Sequence, residues 1–412
     1  MSARRPRWAL IGLVAVAFVG CGGHQPAHLR AGTVLHVDGD QRRCDDDRDA
    51  GQARSSATPL CTIARAVGLA SPGTVVSVAP GDYPPLVIGR ARDGWVTIRG
   101  AGPGPVRLPR IELTGGARGL AFEHLELTGN SAGATFQVDA GASRDVRLVA
   151  SRVQAAHQDA IVLGAGARGV TIAANHIHTA PSGSGVAFAS TSTLPGSPPG
   201  AQNEAPIVDV VIRDNHFDGI AVDAIRPANF DHLVVEGNEI EGIVERGQHA
   251  DALQSVFGGR DLVFRDNYIH DNQAQGLFIN DGRVTGVVVE GNVIVHNTRE
   301  IALQFYDTVG LTIAHNTVWD NDSNVALRTG VRDAVVTANV FQDMVVDDPA
   351  AAALAVRQDH NLIAGGWNWG ARGAHDVSTP PTFVDPGRDD YRLAPRSAGI
   401  VGGRALGAPG HR

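Results

Sequence analysis

"LVVEGNEIE" (residues 233–241), "LVFRDNYIH" (262–270) and "VVVEGNVIV" (287–295) are one pattern written three times: a β-branched run, a small or polar bend, an asparagine, then a second short run. The same shape recurs in "VTIAANHIH" (170–178), "VVIRDNHFD" (210–218), "LTIAHNTVW" (311–319) and "AVVTANVFQ" (334–342). The asparagines are Asn175, Asn215, Asn238, Asn267, Asn292, Asn316 and Asn339. From Asn215 onward they fall 23–29 residues apart, a spacing that belongs to stacked repeats. The register extends backwards with the asparagine replaced, by Ser151 in "LVASRV", His124 in "FEHLEL" and Gly100 in "TIRGAG".

A bend between two parallel strands leaves backbone N–H and C=O groups unpaired, and a stacked carboxamide satisfies those above and below it. Asparagine also tolerates the left-handed conformation that such bends need. The pattern lacks the leucine consensus of leucine-rich repeats, and its repeats are too short for propeller blades. It resembles the right-handed parallel β-helix, the pectate-lyase-like fold, over about residues 33–393. The resemblance implies an all-β solenoid whose rungs stack about 4.8 Å apart.

Both ends extend the resemblance. "CTIARAVGLASPGTVVSVAPGDY" (61–83) is similar to the opening of secreted bacterial β-helix proteins, in which a short helix, here about 62–69, covers the open end of the core. Such a cap protects strand edges that an open rung would expose. "FVDPGRDDYRLAPRSAG" (383–399) resembles the usual closing segment. The expected organisation is one solenoid domain, 33–399, and a C-terminal tail, 400–412. The Ser-, Pro- and Gly-rich stretch 190–206 reads as a loop projecting from the solenoid, either a wall of the binding surface or a tolerated insertion.

The N-terminus has the layout of a secretory signal: Arg4, Arg5 and Arg7, an apolar run from Trp8 to Val19, then small residues. "FVGC" (18–21) resembles a lipobox, which makes Cys21 the lipidated first residue of a bacterial surface lipoprotein, with a signal peptide over 1–20 and a tether over 21–32. Export to an oxidising compartment favours a disulfide between the two remaining cysteines, Cys44 and Cys61. Closing that loop stabilises by about 3 kcal/mol in the chain-entropy model. "CDDDRDAG" (44–51) invites a calcium reading, but lacks the alternating ligand spacing of an EF-hand, and a solvated charged loop fits it better. No cofactor is evident and no metal ligand set is identified.

With 50 glycines, a net charge of −8 and no lysine, the chain lacks the basic stripe of a nucleic-acid binder. The missing lysine also excludes Schiff-base chemistry and a lysine general base. A monomer tethered by lipid is the expected state.

Upstream of each asparagine lies another strand: "HQDAIVL" (157–163), "AVDAIRP" (221–227), "HADALQS" (249–255), "AQGLFIN" (274–280), "EIALQFY" (300–306) and "NVALRTG" (324–330). Alternation sends Ile161, Ile225, Leu253, Leu277, Leu303 and Leu327 inward. It sends Val162, Arg226, Gln254, Phe278, Gln304 and Arg328 outward in one column, with Val256, Asn280 and Tyr306 also facing out. Asp159, Asp223 and Asp251 share a column, as do His157 and His249. An aspartate recurring rung after rung is expected to accept backbone N–H groups at the bend.

The outward side chains suit a carbohydrate groove, because arginine forks match uronate carboxylates and carboxamides match sugar hydroxyls. The expected substrate-binding residues are Asp223, Gln254, Gln304 and Arg328; the expected catalytic residues are His249, Asp251, Arg226 and Tyr306. Eliminative cleavage of a uronate polymer needs a neutralised carboxylate, here by Arg226 or Arg328, and a proton carrier, here His249 or Tyr306. Hydrolysis would instead use Asp223 and Asp251 as a carboxylate pair. His249 is expected at the groove's edge, titrating near 6.5. Neither the "NTD…GHG…RIK" set of polygalacturonases nor the "DPHD" of alginate epimerases is present. Two readings therefore stand: a lipid-anchored lyase-like enzyme of acidic polysaccharide, and a non-catalytic surface protein that binds glycan or a partner.

Overall fold

The computed structural model describes residues 32–39, 42, 44–89, 93–141, 143–179, 182–189, 204–245, 247, 249–346, 356–368, 372–401 and 404–409. From Thr33 onward they belong to one compact unit. It is a right-handed parallel β-helix. Each turn of chain contributes one strand to each of three sheets. A front sheet runs from Leu86–Ile88 to Val345–Val346, a long sheet from Val34–Val37 to Arg357–Asp359, and a 12-stranded short sheet from Gly81–Asp82 to Leu362–Ile363. Alternation fills the narrow interior with Val, Ile and Leu, and with phenylalanines that include Phe122, Phe217, Phe264, Phe305 and Phe341, all fully buried.

The asparagine ladder stands at the bend between the long and short sheets. Asn175, Asn215, Asn238, Asn267, Asn292, Asn316 and Asn339 are all buried, and Asn361 continues the series. Asn292 shows the unit. Its Oδ1 accepts the backbone N–H of Asn267 at 3.0 Å and the carboxamide of Asn267 at 2.9 Å. Its own Nδ2 donates to the Phe264 carbonyl at 2.9 Å and to Asn316 Oδ1 at 2.9 Å. Ser151 does the same work with a hydroxyl, accepting from the Leu125 N–H at 3.1 Å.

Two details differ from the sequence reading. The left-handed residue is not the asparagine but the one before it: Ala174, Asp214, Asp266, His315, Ala338 and His360 all have φ between 53° and 61°. The asparagine is free of that duty, so its own N–H can join the ladder. His124 therefore belongs to the left-handed column (φ 55°) and Gly100 lies against its carbonyl, while Leu125 takes the ladder position. A second ladder was also missed. Asn272, Asn297 and Asn321 are linked from backbone N–H to the next Oδ1 at 3.3 and 3.0 Å, at the far end of the short sheet. Its signal was legible as N-x4-N in "NYIHDN", "NVIVHN" and "NTVWDN".

The N-terminal cap is the helix Ile63–Leu69, with Thr62 as N-cap accepting from the Arg65 N–H. Ile63, Ala66 and Val67 are buried against the first rungs. Cys44 and Cys61 form a disulfide. Within the acidic stretch, Asp46 is committed to this cap: Oδ1 accepts the N–H groups of Cys61 and Thr62, and Oδ2 accepts the Thr62 hydroxyl at 2.7 Å. At the other end an antiparallel pair, Phe383–Asp385 with Asp390–Leu393, lays Phe383 and Tyr391 over Tyr268, Val293 and Val295 of the short sheet. Residues assigned to the tail join this packing, with Leu406 and Ala408 buried. The signal peptide, Cys21 and residues 190–203 of the projecting loop lie outside the described residues.

Candidate functional site

The front sheet carries the site, because consecutive rungs repeat one outward column. Register pairs Ile225 with Leu253, Leu277 and Leu303, so Arg226, Gln254, Phe278 and Gln304 stand on four successive rungs. The last rung departs from the expected alignment. Val325, not Leu327, pairs with Leu303, which moves Arg328 from Gln304's row to Tyr306's. A slip of two residues preserves which side chains face out, so the inward and outward assignment of Leu327 and Arg328 survives. Val256, expected outside, is buried: it sits where strand Asp251–Arg265 turns from the front into the long sheet, opposite Ala228.

The aspartate column behaves as bend capping requires. Asp159 Oδ1 accepts the Ser184 N–H at 2.7 Å, Asp223 Oδ1 the Asp251 N–H at 3.0 Å, and Asp251 Oδ1 the Gln275 N–H at 3.3 Å. That leaves the second oxygen of Asp223 and of Asp251 for the outer side chains. Asp223 Oδ2 lies 3.5 Å from Arg226 Nε, and Asp251 Oδ2 lies 2.9 Å from His249 Nδ1. The other imidazole nitrogen, Nε2, is 3.1 Å from Glu300 Oε2. Gln275 donates to the same Glu300 oxygen at 2.6 Å and contacts Gln304 Oε1 at 3.4 Å.

Glu300 and Gln275 were not singled out by sequence. Glu300 arrives through two consecutive non-glycine residues at positive φ, Arg299 at 83° and Glu300 at 60°. Such a backbone is costly unless its surroundings hold it, and here an Asp322 carboxylate accepts the Arg299 N–H while Glu245 pairs with the Arg299 guanidinium.

Burial divides the expected residues into two groups. Asp223 and Asp251 are at most 1% exposed, and Gln304 is 7% exposed, so none presents the open surface expected of it. Phe278, though outward, is covered in the same way, with the His249 ring at 5.3 Å and the Tyr306 ring at 6.3 Å. The side chains that meet solvent are His249, Glu300, Arg226, Gln254, Tyr306 and Arg328. The buried aspartates hold the first and third of these in place.

The charges follow from this geometry. The hydrogen bond to Asp251 lifts His249 to about 9, against its partial burial and with help from the charges of Asp251 and Glu300. The expectation of an unperturbed histidine is therefore overturned, and at neutral pH His249 is an imidazolium. Burial pushes Asp251 up to about 6, with the His249 cation opposing it. Burial, and after it the negative charge of Asp251, hold Asp223 well above the carboxylate range, with Arg226 opposing. Two adjacent carboxyls are thus both held above the ordinary carboxylate range, beneath a surface pair of cations, Arg226 and His249.

Comparison with known proteins places the fold. The tailspike protein of Dettilon is 11% identical with a TM-score of 0.52, over 84% of this chain and 68% of its own. An alginate lyase from Paenibacillus sp. str. FPU-7 is 16% identical with a TM-score of 0.48, over 76% of this chain and 96% of its own. The A-module of the Azotobacter vinelandii mannuronan C-5 epimerase AlgE6 is 16% identical with a TM-score of 0.47, over 82% and 97%. At 11% identity the likeness to the tailspike speaks to fold alone. No curated protein matches the chain in sequence. The family model described as right handed beta helix region matches residues 137–318 and 258–363, more than half the chain, and with the three parallel sheets and the buried asparagine ladder it establishes that the chain belongs to the right-handed β-helix family.

Proposed function

We propose that the protein binds an acidic, uronate-containing polysaccharide across the front sheet and cleaves it by elimination. The observation that carries this reading is the pair of cations, Arg226 and His249, each anchored from below by a buried aspartate and open to solvent above. A uronate carboxylate laid on this face meets a guanidinium and an imidazolium, which stabilise the charge that develops when the adjacent proton leaves. Gln254 and Tyr306 lie alongside for sugar hydroxyls, and Tyr306 is the side chain placed to carry the proton. Hydrolysis by Asp223 and Asp251 fits less well, since both carboxylates are covered and each commits one oxygen to the backbone.

The test is incubation of purified protein with a panel of uronate polymers, read as absorbance from new unsaturated ends and, in parallel, as binding. Unsaturated ends support elimination. Binding without them supports the second reading, a non-catalytic glycan-binding surface, which the deep burial of both aspartates favours. Neither signal on any polymer removes the proposal.

The same reading places the protein outside the cytoplasm as a lipid-anchored monomer. The support is the arginine-flanked apolar run ending in Cys21, together with the Cys44–Cys61 disulfide, a bond of oxidising compartments. Cys21→Ser is expected to move the protein from the membrane to the soluble fraction of its host; unchanged membrane retention would refute lipidation at Cys21.

A further inference from the structure

The short sheet presents a second polar surface, separate from the front face. As in any strand, alternate residues of its short strands face outward. Register aligns His176, His216, Glu239 and Tyr268 in one outward column, and His178, Asp218, Glu241 and His270 in the next. Four histidines and three carboxylates therefore crowd onto four successive rungs. His176 and His178 are occupied by Asp218, whose Oδ1 lies 3.0 and 2.9 Å from their ring nitrogens. His216, Glu239 and Glu241 form the next layer. One donor atom from each lies within 4.8 Å of the others, and His216 Nε2 is 2.9 Å from Glu241 Oε1.

His270 supplies an independent observation. Its Nδ1 lies 2.8 Å from Asp271 Oδ2, and in the neutral ring that donates from Nδ1 to this carboxylate, Nε2 carries a lone pair. That nitrogen is buried without a hydrogen-bond partner, on a side chain only 9% exposed, 3.5 Å from Glu239 Oε1. A lone pair facing a carboxylate oxygen is repulsive unless a proton or a metal cation lies between them. A zinc ion holds nitrogen at about 2.0–2.1 Å and carboxylate oxygen at about 2.0–2.2 Å, so two tetrahedral ligand atoms sit about 3.4 Å apart. The Asp271–His270 pair is also the arrangement by which an outer carboxylate orients a ligating imidazole and raises its basicity.

We infer that His216, Glu239 and Glu241 form a site for a divalent transition-metal cation of the zinc type, with His270 flanking it at Glu239. Imidazole nitrogens mixed with carboxylate oxygens select such an ion over calcium or magnesium, which take oxygen alone. The stacking of His176 on His216, with ring centroids 5.1 Å apart and planes within 10°, fixes the orientation of the first ligand. A site here ties together the adjacent rungs that carry His216 and the two glutamates. It does not depend on what the front face does.

The experiment uses the full chain without any histidine tag, stripped with chelator and titrated calorimetrically with ZnCl2, CaCl2 and MgCl2 in a non-coordinating buffer. One saturable zinc site is expected, with a rise in melting temperature and no comparable response to calcium or magnesium. His216→Ala, Glu239→Gln and His270→Ala should each weaken zinc binding at least about tenfold, the least that loss of even an outer partner costs. The exposed group Asp359, His360 and His375 is the competing location, so a His360→Ala/His375→Ala double variant should bind zinc as the unaltered chain does. Circular dichroism confirms that each variant is folded. Absence of saturable zinc binding, full affinity in folded His216→Ala and Glu239→Gln, or loss of binding in the double variant would each overturn the inference and leave imidazolium–carboxylate pairing as the role of this cluster.

Discussion

Asn292→Leu is expected to destabilise the solenoid by at least about 3 kcal/mol, at the severe end of single substitutions. Leucine is close in volume, so packing is not the cause. The change removes the acceptor of the Asn267 N–H and the donor to the carbonyls of Phe264 and Glu290, in a position with no access to water. The Asn267 N–H, the Phe264 carbonyl and the Asn267 carboxamide each lose that partner, at about 1–3 kcal/mol apiece, while the Glu290 carbonyl keeps the Asp266 N–H. Asn292→Ser should recover part of the loss, because Ser151 already occupies a ladder position with a hydroxyl that accepts from the rung before it and donates to the Val149 carbonyl at 3.0 Å. Stacked rungs need not unfold in one step, so the denaturation midpoint should be read together with hydrogen exchange at the Asn267 amide. Protection of that amide should collapse first. Unchanged stability with leucine would mean that the ladder is incidental to the fold.

Asp251→Asn is expected to bring His249 from about 9 back toward the ordinary histidine value. Asparagine keeps the acceptor for the Gln275 N–H but removes the carboxylate that holds the imidazolium. At pH 8 the unaltered site is about 90% protonated and the variant much less, since only Glu300 then supports the imidazolium, so carboxylate binding at that pH should fall while binding at pH 5 is retained. The stability linkage has a definite sign. Because the folded pKa of His249 exceeds its unfolded value, the His249–Asp251 pair contributes fully below about pH 6.5 and is lost as pH rises through about 9. The burial of Asp251 works in a lower window. Its folded pKa is also raised, so that penalty is absent at low pH and grows as pH rises from 3.8 through about 6. An NMR titration of the His249 ring protons reads the shift directly. A His249 that titrates near 6.5 in the unaltered protein would contradict the geometry of this pair.

The fold was legible because each rung must solve the same problem at the same bend, and one side chain solves it best. Asn238, Asn267 and Asn292 repeat for that reason, and the aspartates at 159, 223 and 251 repeat because the opposite bend has its own orphan N–H. What escaped was local geometry that leaves no mark in composition. Glu300 reaches His249 through two left-handed residues, neither of them glycine, so nothing flagged the turn. The two-residue slip before Val325 keeps the alternation intact, which hides it from any reading based on period. His249 was found, but its charge depends on two contact distances, to Asp251 and Glu300, that no spacing in the sequence encodes. The short sheet's histidines were visible one by one as parts of repeats; only the register across four rungs brings His216, Glu239, Glu241 and His270 together.

The central functional claim is that the solvent-facing side chains of the front sheet, around His249, are where the protein meets its glycan. The most direct measurement compares Gln254→Ala and Tyr306→Ala with the unaltered chain, in affinity or turnover on whichever uronate polymer it recognises and in melting temperature. Both side chains reach solvent and neither lines the core, so glycan binding or turnover should fall while the melting temperature stays within error. Lowered melting temperatures with glycan affinity and turnover fully intact would assign these residues to the scaffold and contradict the account.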